Sequence, residues 1–148
     1  MNNWFEVKVS YDKLLENGMQ KRVTEPYLVD AMSFTEAEKR ITEELHPFFS
    51  GEFSVAGIRR ARISELFLNE TGDRYFRFKV NFIALDEKSG AEKRISCAMI
   101  AQASTLKEAI EILENGMKGT MADYEIASVT ETALMNIFTF SAEREKGE

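Results

Sequence analysis

From Trp4 to Tyr11 apolar and polar residues alternate, with Phe5, Val7, Val9 and Tyr11 on one side and Glu6, Lys8 and Ser10 on the other. That two-residue period is the mark of a half-buried strand. Asn17 and Gly18 in "ENGM" both tolerate positive φ, so a tight hairpin is predicted to return the chain through residues 20–31. Pro26 has no amide hydrogen, and the returning strand is expected to be an edge or to be interrupted there. Ser33 and Glu36 then make an SxxE capping box, followed by Phe34, Ala37, Ile41 and Leu45 at helical spacing until Pro47 stops the run. Residues 53–69 read as one long strand whose alternation changes phase near Gly57, the signature of a bulge or bend.

The chain then repeats itself. Phe76, Phe78, Val80 and Phe82 alternate with Arg77, Lys79 and Asn81, and "DEKSGAE" turns the chain into "KRISCAMIAQA". Thr105 and Glu108 form a second capping box, with Leu106, Ala109, Ile110, Leu113 and Met117 along one helical stripe that ends at Gly116 or Gly119. A last strand is predicted over residues 124–140, and residues 141–148 read as a frayed, solvated tail.

Set side by side, the halves align residue by residue. Trp4, Phe5, Lys8 and Val9 match Tyr75, Phe76, Lys79 and Val80 at a separation of 71, which becomes 72 after the hairpins, where Lys21, Arg22, Ser33 and Glu36 match Lys93, Arg94, Thr105 and Glu108. Past the helices it returns to 71, matching Phe53 with Tyr124 and Phe67 with Phe138. Both changes fall in loops already inferred from turn chemistry, which shared strand and helix patterns alone would not arrange. The expected fold class is α+β: a tandem duplication of a β-β-α-β unit, with a mainly antiparallel sheet and two helices. One domain over 1–148 is expected, built of repeats at about 3–70 and 74–140. A three-stranded sheet with one helix has little to bury itself against, so the repeats should associate about a pseudo-twofold axis. One continuous sheet, two facing sheets and a partly closed barrel all remain open.

Composition narrows the function classes. The chain has 148 residues and 44% apolar content, enough for one well-packed domain. A net charge of −6 argues against a general binder of nucleic acid or anionic membrane. No run is long and apolar enough to span a bilayer and the start lacks the zones of a secretory signal, so the expected compartment is the cytoplasm. One His and one Cys cannot form a zinc site with nitrogen and sulfur ligands, and no cofactor loop is present, so neither metal nor cofactor is expected. Cys97 lies within an apolar run and reads as a buried small residue.

The densest basic stretch is "GIRRARI", with Arg59, Arg60 and Arg62, whose counterpart in the second half, "SVTETAL", carries Thr130, Glu131 and Thr132. Because the halves share a scaffold and differ here, these three arginines are the candidate ligand-binding residues, suited to an anion held by guanidinium forks. The competing reading is a solvated face paired with acidic residues. Lys21, Arg22, Lys93 and Arg94 read as charged protectors of strand ends. In "GMKGTMADY" a helix end precedes Lys118, the wrong context for a phosphate loop, so Lys118 and Gly119 read as a helix cap. His46 reads as a helix-terminal residue, and no catalytic residue can be chosen.

"NWFEVKVSYDK", "ENGMQKRVTEPYLVDAMSFTEAE", "SGEF", "LDEKSGAEKR" and "GMKGTMADYEIASVTETALM" resemble the signature stretches of a family of short, functionally uncharacterised proteins of Bacteroidetes and the phages that infect them. The resemblance covers nearly the whole chain and implies a small intracellular, phage-related protein, with no reaction, ligand or catalytic residue to carry over. The sequence therefore points to a non-enzymatic binding or assembly module that forms a homo-oligomer or takes a small anionic ligand or nucleotide near Arg59, Arg60 and Arg62. A small enzyme using dispersed carboxylates or His46 is the rival reading.

Overall fold

The computed structural model describes residues 3–139; the predicted tail, 141–148, lies outside them. The fold is α+β, with two helices and mainly antiparallel sheets, and the chain divides into two compact units. The first unit holds the chain up to Ala61 and again from Ala133; the second is Arg62–Thr132.

In the first unit strands β1 (Trp4–Leu14) and β2 (Gln20–Asp30) form the hairpin, followed by helix α1 (Phe34–Leu45), a 3-10 turn (His46–Phe48) and strand β3 (Phe53–Ala61). Alternation along β1 sends Phe5, Val7 and Val9 to one face, where they meet Tyr27, Val29 and Ala31 of β2 and the Ala37, Ile41 and Leu45 stripe of α1. Burying these side chains together is what holds α1 on the sheet, because an isolated helix of this length is marginal in water. The Ser33 hydroxyl accepts from the Glu36 amide at 3.1 Å, which makes the predicted cap. The hairpin differs in detail from expectation. Only Gly18 has positive φ (84°), while the Asn17 side chain instead accepts from the Met19 amide.

The second unit contains strands β4 (Glu65–Phe67), β5 (Arg74–Leu85) and β6 (Glu92–Ala103), helix α2 (Leu106–Gly116) and strand β7 (Asp123–Glu131). Its core is Phe76, Phe78 and Val80 with Met99, Ala101 and Ala103 under Ala109, Leu113 and Met117. Thr105 caps α2 by accepting from the Glu108 amide.

The long strands predicted over 53–69 and 124–140 are each broken. After β3 the chain pairs β4 in parallel with β6, and after β7 a two-residue strand, β8 (Ile137–Phe138), pairs in parallel with β2. The sheets are therefore four-stranded, ordered β3-β1-β2-β8 and β4-β6-β5-β7. Which strand each short segment pairs with is set by residues distant in the chain, so local periodicity does not reveal that the hydrogen-bonding partner has changed. The bulge predicted near Gly57 is present: Lys8 pairs with Gly57 and Val9 with Val55, leaving Ala56 as the extra residue. Ala127 is the extra residue of β7, opposite Lys79 and Val80.

Pro26 does not interrupt β2, which stays paired with β1 throughout its length. The amide of Leu28 points toward β8, donating to the Asn136 carbonyl, so the proline nitrogen two residues earlier lies on that same side and costs no bond to β1.

On β1 a hydrogen bond to Glu25, with burial adding to it, pushes the Tyr11 phenol up from 10.0 to about 12. A folded-state value above the unfolded one means that this stabilisation is complete below pH 10 and is lost as pH rises toward 12. Ultraviolet titration, read as the difference from Tyr11→Phe, should place Tyr11 near 12 and return it toward 10 in Glu25→Gln. An unchanged midpoint in that variant would remove Glu25 as the cause.

Candidate functional site

Once Phe76, Phe78 and Val80 are committed to the core, Arg77 and Lys79 must emerge on the opposite face of β5. Two residues apart on one strand, their backbones are separated by about 7 Å. Across the ladder Arg77 faces Ile100 and Lys79 faces Ala98. The Ser64 amide donates to the Ala98 carbonyl at 2.8 Å, which anchors the chain entering β4 and holds Arg62 beside this face. Arg62, Arg77, Lys79, Ser96, Cys97 and Ala98 line an open cavity of about 370 Å³.

The electrostatics are one-sided. All three cationic residues are exposed, the lining contains no carboxylate, and among the described residues Arg62, Arg77 and Lys79 form no ion pair. At the Ser96 end the neighbouring acid is occupied. Ser96 donates to Asn81 at 2.6 Å, Asn81 donates to Glu125 at 3.3 Å, and the Arg94 Nε donates to Glu125 at 2.8 Å. The hydrogen bond from Arg94, followed by that from Asn81, holds the Glu125 carboxyl below the usual carboxylate range.

The first unit offers an internal comparison. There the Met135 amide donates to the Pro26 carbonyl at 2.9 Å, as Ser64 does to Ala98. Ser10 and Thr24 share a hydrogen bond at 2.8 Å, and Arg22 reaches Ser54, as Arg94 reaches Glu125. At matching positions, however, Glu6 stands where the second unit has Arg77, and Ala133 where it has Arg62. Glu6 is neutralised by Arg59 at 3.0 Å. These hydrogen bonds correspond between the units, and the uncompensated positive charge belongs to the second.

The three arginines singled out from sequence have different surroundings. Consecutive residues of β3 project to opposite faces, so Arg59 pairs with Glu6 while the Arg60 guanidinium lies over the Phe5 and Phe34 rings at 5.3 and 5.8 Å. Arg62 lies beyond the end of β3, in the second unit, and lines the cavity. Arg77 and Lys79 were hidden as ordinary polar positions of an alternating strand. The available signal was the reversal from Glu6 to Arg77 between aligned halves.

Other candidates stay dispersed. Arg22 pairs with Asp12 directly opposite on β1 at 3.6 Å, a cross-strand contact near the hairpin end. His46 sits at the end of α1 and, with Glu38, Thr42 and Glu52, borders a second open cavity of about 520 Å³. Among the described residues no carboxylate forms an ion pair with His46, so no oriented acid–base couple is assembled there. Gly119 has φ 87° but lies two residues past Met117, the C-cap of α2, so it turns the chain after the helix and is not its cap. Cys97 is half-buried and borders the cationic groove. Among the described residues no group of three or more His, Cys, Asp or Glu could hold a metal ion, and no helix is long and apolar enough to cross a membrane.

No curated protein matches the chain. Residues 3–140 match the model of a family described as a domain of unknown function, DUF4494, and with nearly its whole length inside that match the chain belongs to this family.

Proposed function

We propose that this chain is a non-catalytic binding module, a tandem duplicate of one β-β-α-β unit whose second copy takes an anionic ligand between Arg62, Arg77 and Lys79. The observation that carries the reading is the convergence of these three cations on one open cavity with no carboxylate in its lining. Duplication is supported by the matching bulges at Ala56 and Ala127, the matching sheet orders and the matching anchors of Ser64 and Met135. In an acidic chain of net charge −6, an uncompensated basic spot of this kind concentrates anions locally.

Thermal denaturation at low ionic strength tests it. A panel of inorganic phosphate, pyrophosphate, citrate and nucleotides should contain at least one anion that raises the melting temperature. At 100 times its Kd a ligand stabilises by about 2.7 kcal/mol, which for a chain of this size is a rise of about 8 °C. Arg77→Ala and Arg62→Ala should abolish the rise, whereas Arg22→Ala, on the first unit, should keep it. An equal response in all of these variants, or none to any anion, would refute the reading.

A further inference from the structure

We infer that the ligand of this groove is a molecule bearing a diphosphate, held by its phosphoryl oxygens and not by any base. This rests on the anion-binding reading above and goes further in naming the chemistry. Three cations face the cavity. A phosphate monoester brings about −1.5 to −2 charges, fewer than they can neutralise, while a second phosphoryl group on an anhydride bridge brings the total to roughly −3. Two of the three cations are guanidinium groups, whose planar forks match pairs of phosphoryl oxygens, and the third is an ammonium that acts as a point charge.

What the lining lacks limits the rest of the ligand. It contains no aromatic ring on which a base could stack and no carboxylate that would hold a magnesium ion beside the phosphates. The cavity is open, so whatever the diphosphate is attached to extends into solvent and is not selected.

Isothermal titration at low ionic strength with inorganic phosphate, pyrophosphate, ADP, UDP, citrate and a single-stranded oligonucleotide separates the possibilities. Pyrophosphate, ADP and UDP should bind within about threefold of one another and about tenfold or more tighter than phosphate or citrate, the margin of one charge-assisted contact. Arg62→Ala and Arg77→Ala should each lose about tenfold, and Arg77→Lys, which keeps the charge and removes the fork, should narrow the gap between pyrophosphate and citrate. Citrate binding as tightly as pyrophosphate would overturn the diphosphate assignment while leaving the anion site standing. A large preference for one nucleotide over pyrophosphate would overturn it too, by showing that a base is read. Tighter binding of a single-stranded oligonucleotide than of pyrophosphate would replace it with a nucleic-acid surface. Failure of every ligand would remove both this inference and the reading beneath it.

Discussion

Replacing Gly72 by alanine should lower the melting temperature by about 10 °C. Gly72 is buried where the chain turns from β4 into β5, with its amide donating to the Asn69 carbonyl at 2.9 Å. A Cβ on this residue would lie 2.5 Å from the Ala103 Cα and 2.6 Å from the Ala103 nitrogen. Those are backbone atoms of an inner strand, and they cannot swing aside as a side chain can. The turn cannot retreat either, because Gln102 clamps it from both ends: its Nε2 donates to the Gly72 carbonyl at 2.9 Å and its Oε1 accepts from the Asn69 amide at 3.1 Å. Ser104 adds a bond to the Thr71 carbonyl. Overpacking of this kind costs about 3 kcal/mol, and for a chain of this length each kcal/mol is worth roughly 3 °C. Gly57→Ala is the matched control, since a Cβ there meets nothing within 4 Å and φ is not positive; it should shift the midpoint by about 1 °C at most. Equal midpoints for the two variants would show that the turn at Gly72 is not clamped.

The elements that sequence made legible are those fixed by local chemistry. Both helices start at the capping boxes of Ser33 and Thr105, and the Ala37, Ile41 and Leu45 stripe is buried as its spacing requires. The phase change near Gly57 is a bulge because an extra residue must shift alternation by one. What was not legible depends on partners distant in the chain. Nothing in the string 53–69 says that Glu65 to Phe67 leave the strands beside β1 and join β6. Arg40 shows the same limit within a helix: a polar residue by type, it is 8% exposed and lies near Asp30, whose carboxyl burial pushes up, while the Asn3 amide and the Arg40 charge oppose that rise.

The groove was half visible for a related reason. Arg62 drew attention because it stands in a basic run, but Arg59 and Arg60 in that run serve other contacts, with Glu6 and with the Phe5 and Phe34 rings. Arg77 and Lys79 each look like any outward-facing residue of an alternating strand. Their meaning comes from three separate stretches, 62, 77–79 and 96–98, meeting on one face. Register supplies that meeting, and register is a property of paired strands and not of any one of them.

Truncating the chain after Thr132 should damage the unit at the other end of the sequence, the first one. Residues 133–139 lie outside the second unit's span, and β8 completes the sheet of β1, β2 and β3. Three kinds of stabilisation go with it. The Leu28 amide loses the Asn136 carbonyl at 3.1 Å and the Pro26 carbonyl loses the Met135 amide at 2.9 Å, together about 2 kcal/mol. Ile137, 8% exposed, contributes about 2 kcal/mol through apolar burial. The Phe138 ring, stacked on Tyr27 at a centroid distance of 6.0 Å, adds about 1 kcal/mol. A loss of about 5 kcal/mol is comparable to the whole margin of a marginally stable domain. Amide hydrogen exchange should therefore show protection failing first in β1 and β2, with β5 and β6 retaining theirs longer. The double variant Ile137→Ala with Phe138→Ala, which keeps the backbone of β8, should show the same order with a smaller loss. If protection instead fails first around Phe76 to Val80, then β8 does not stabilise the sheet it joins.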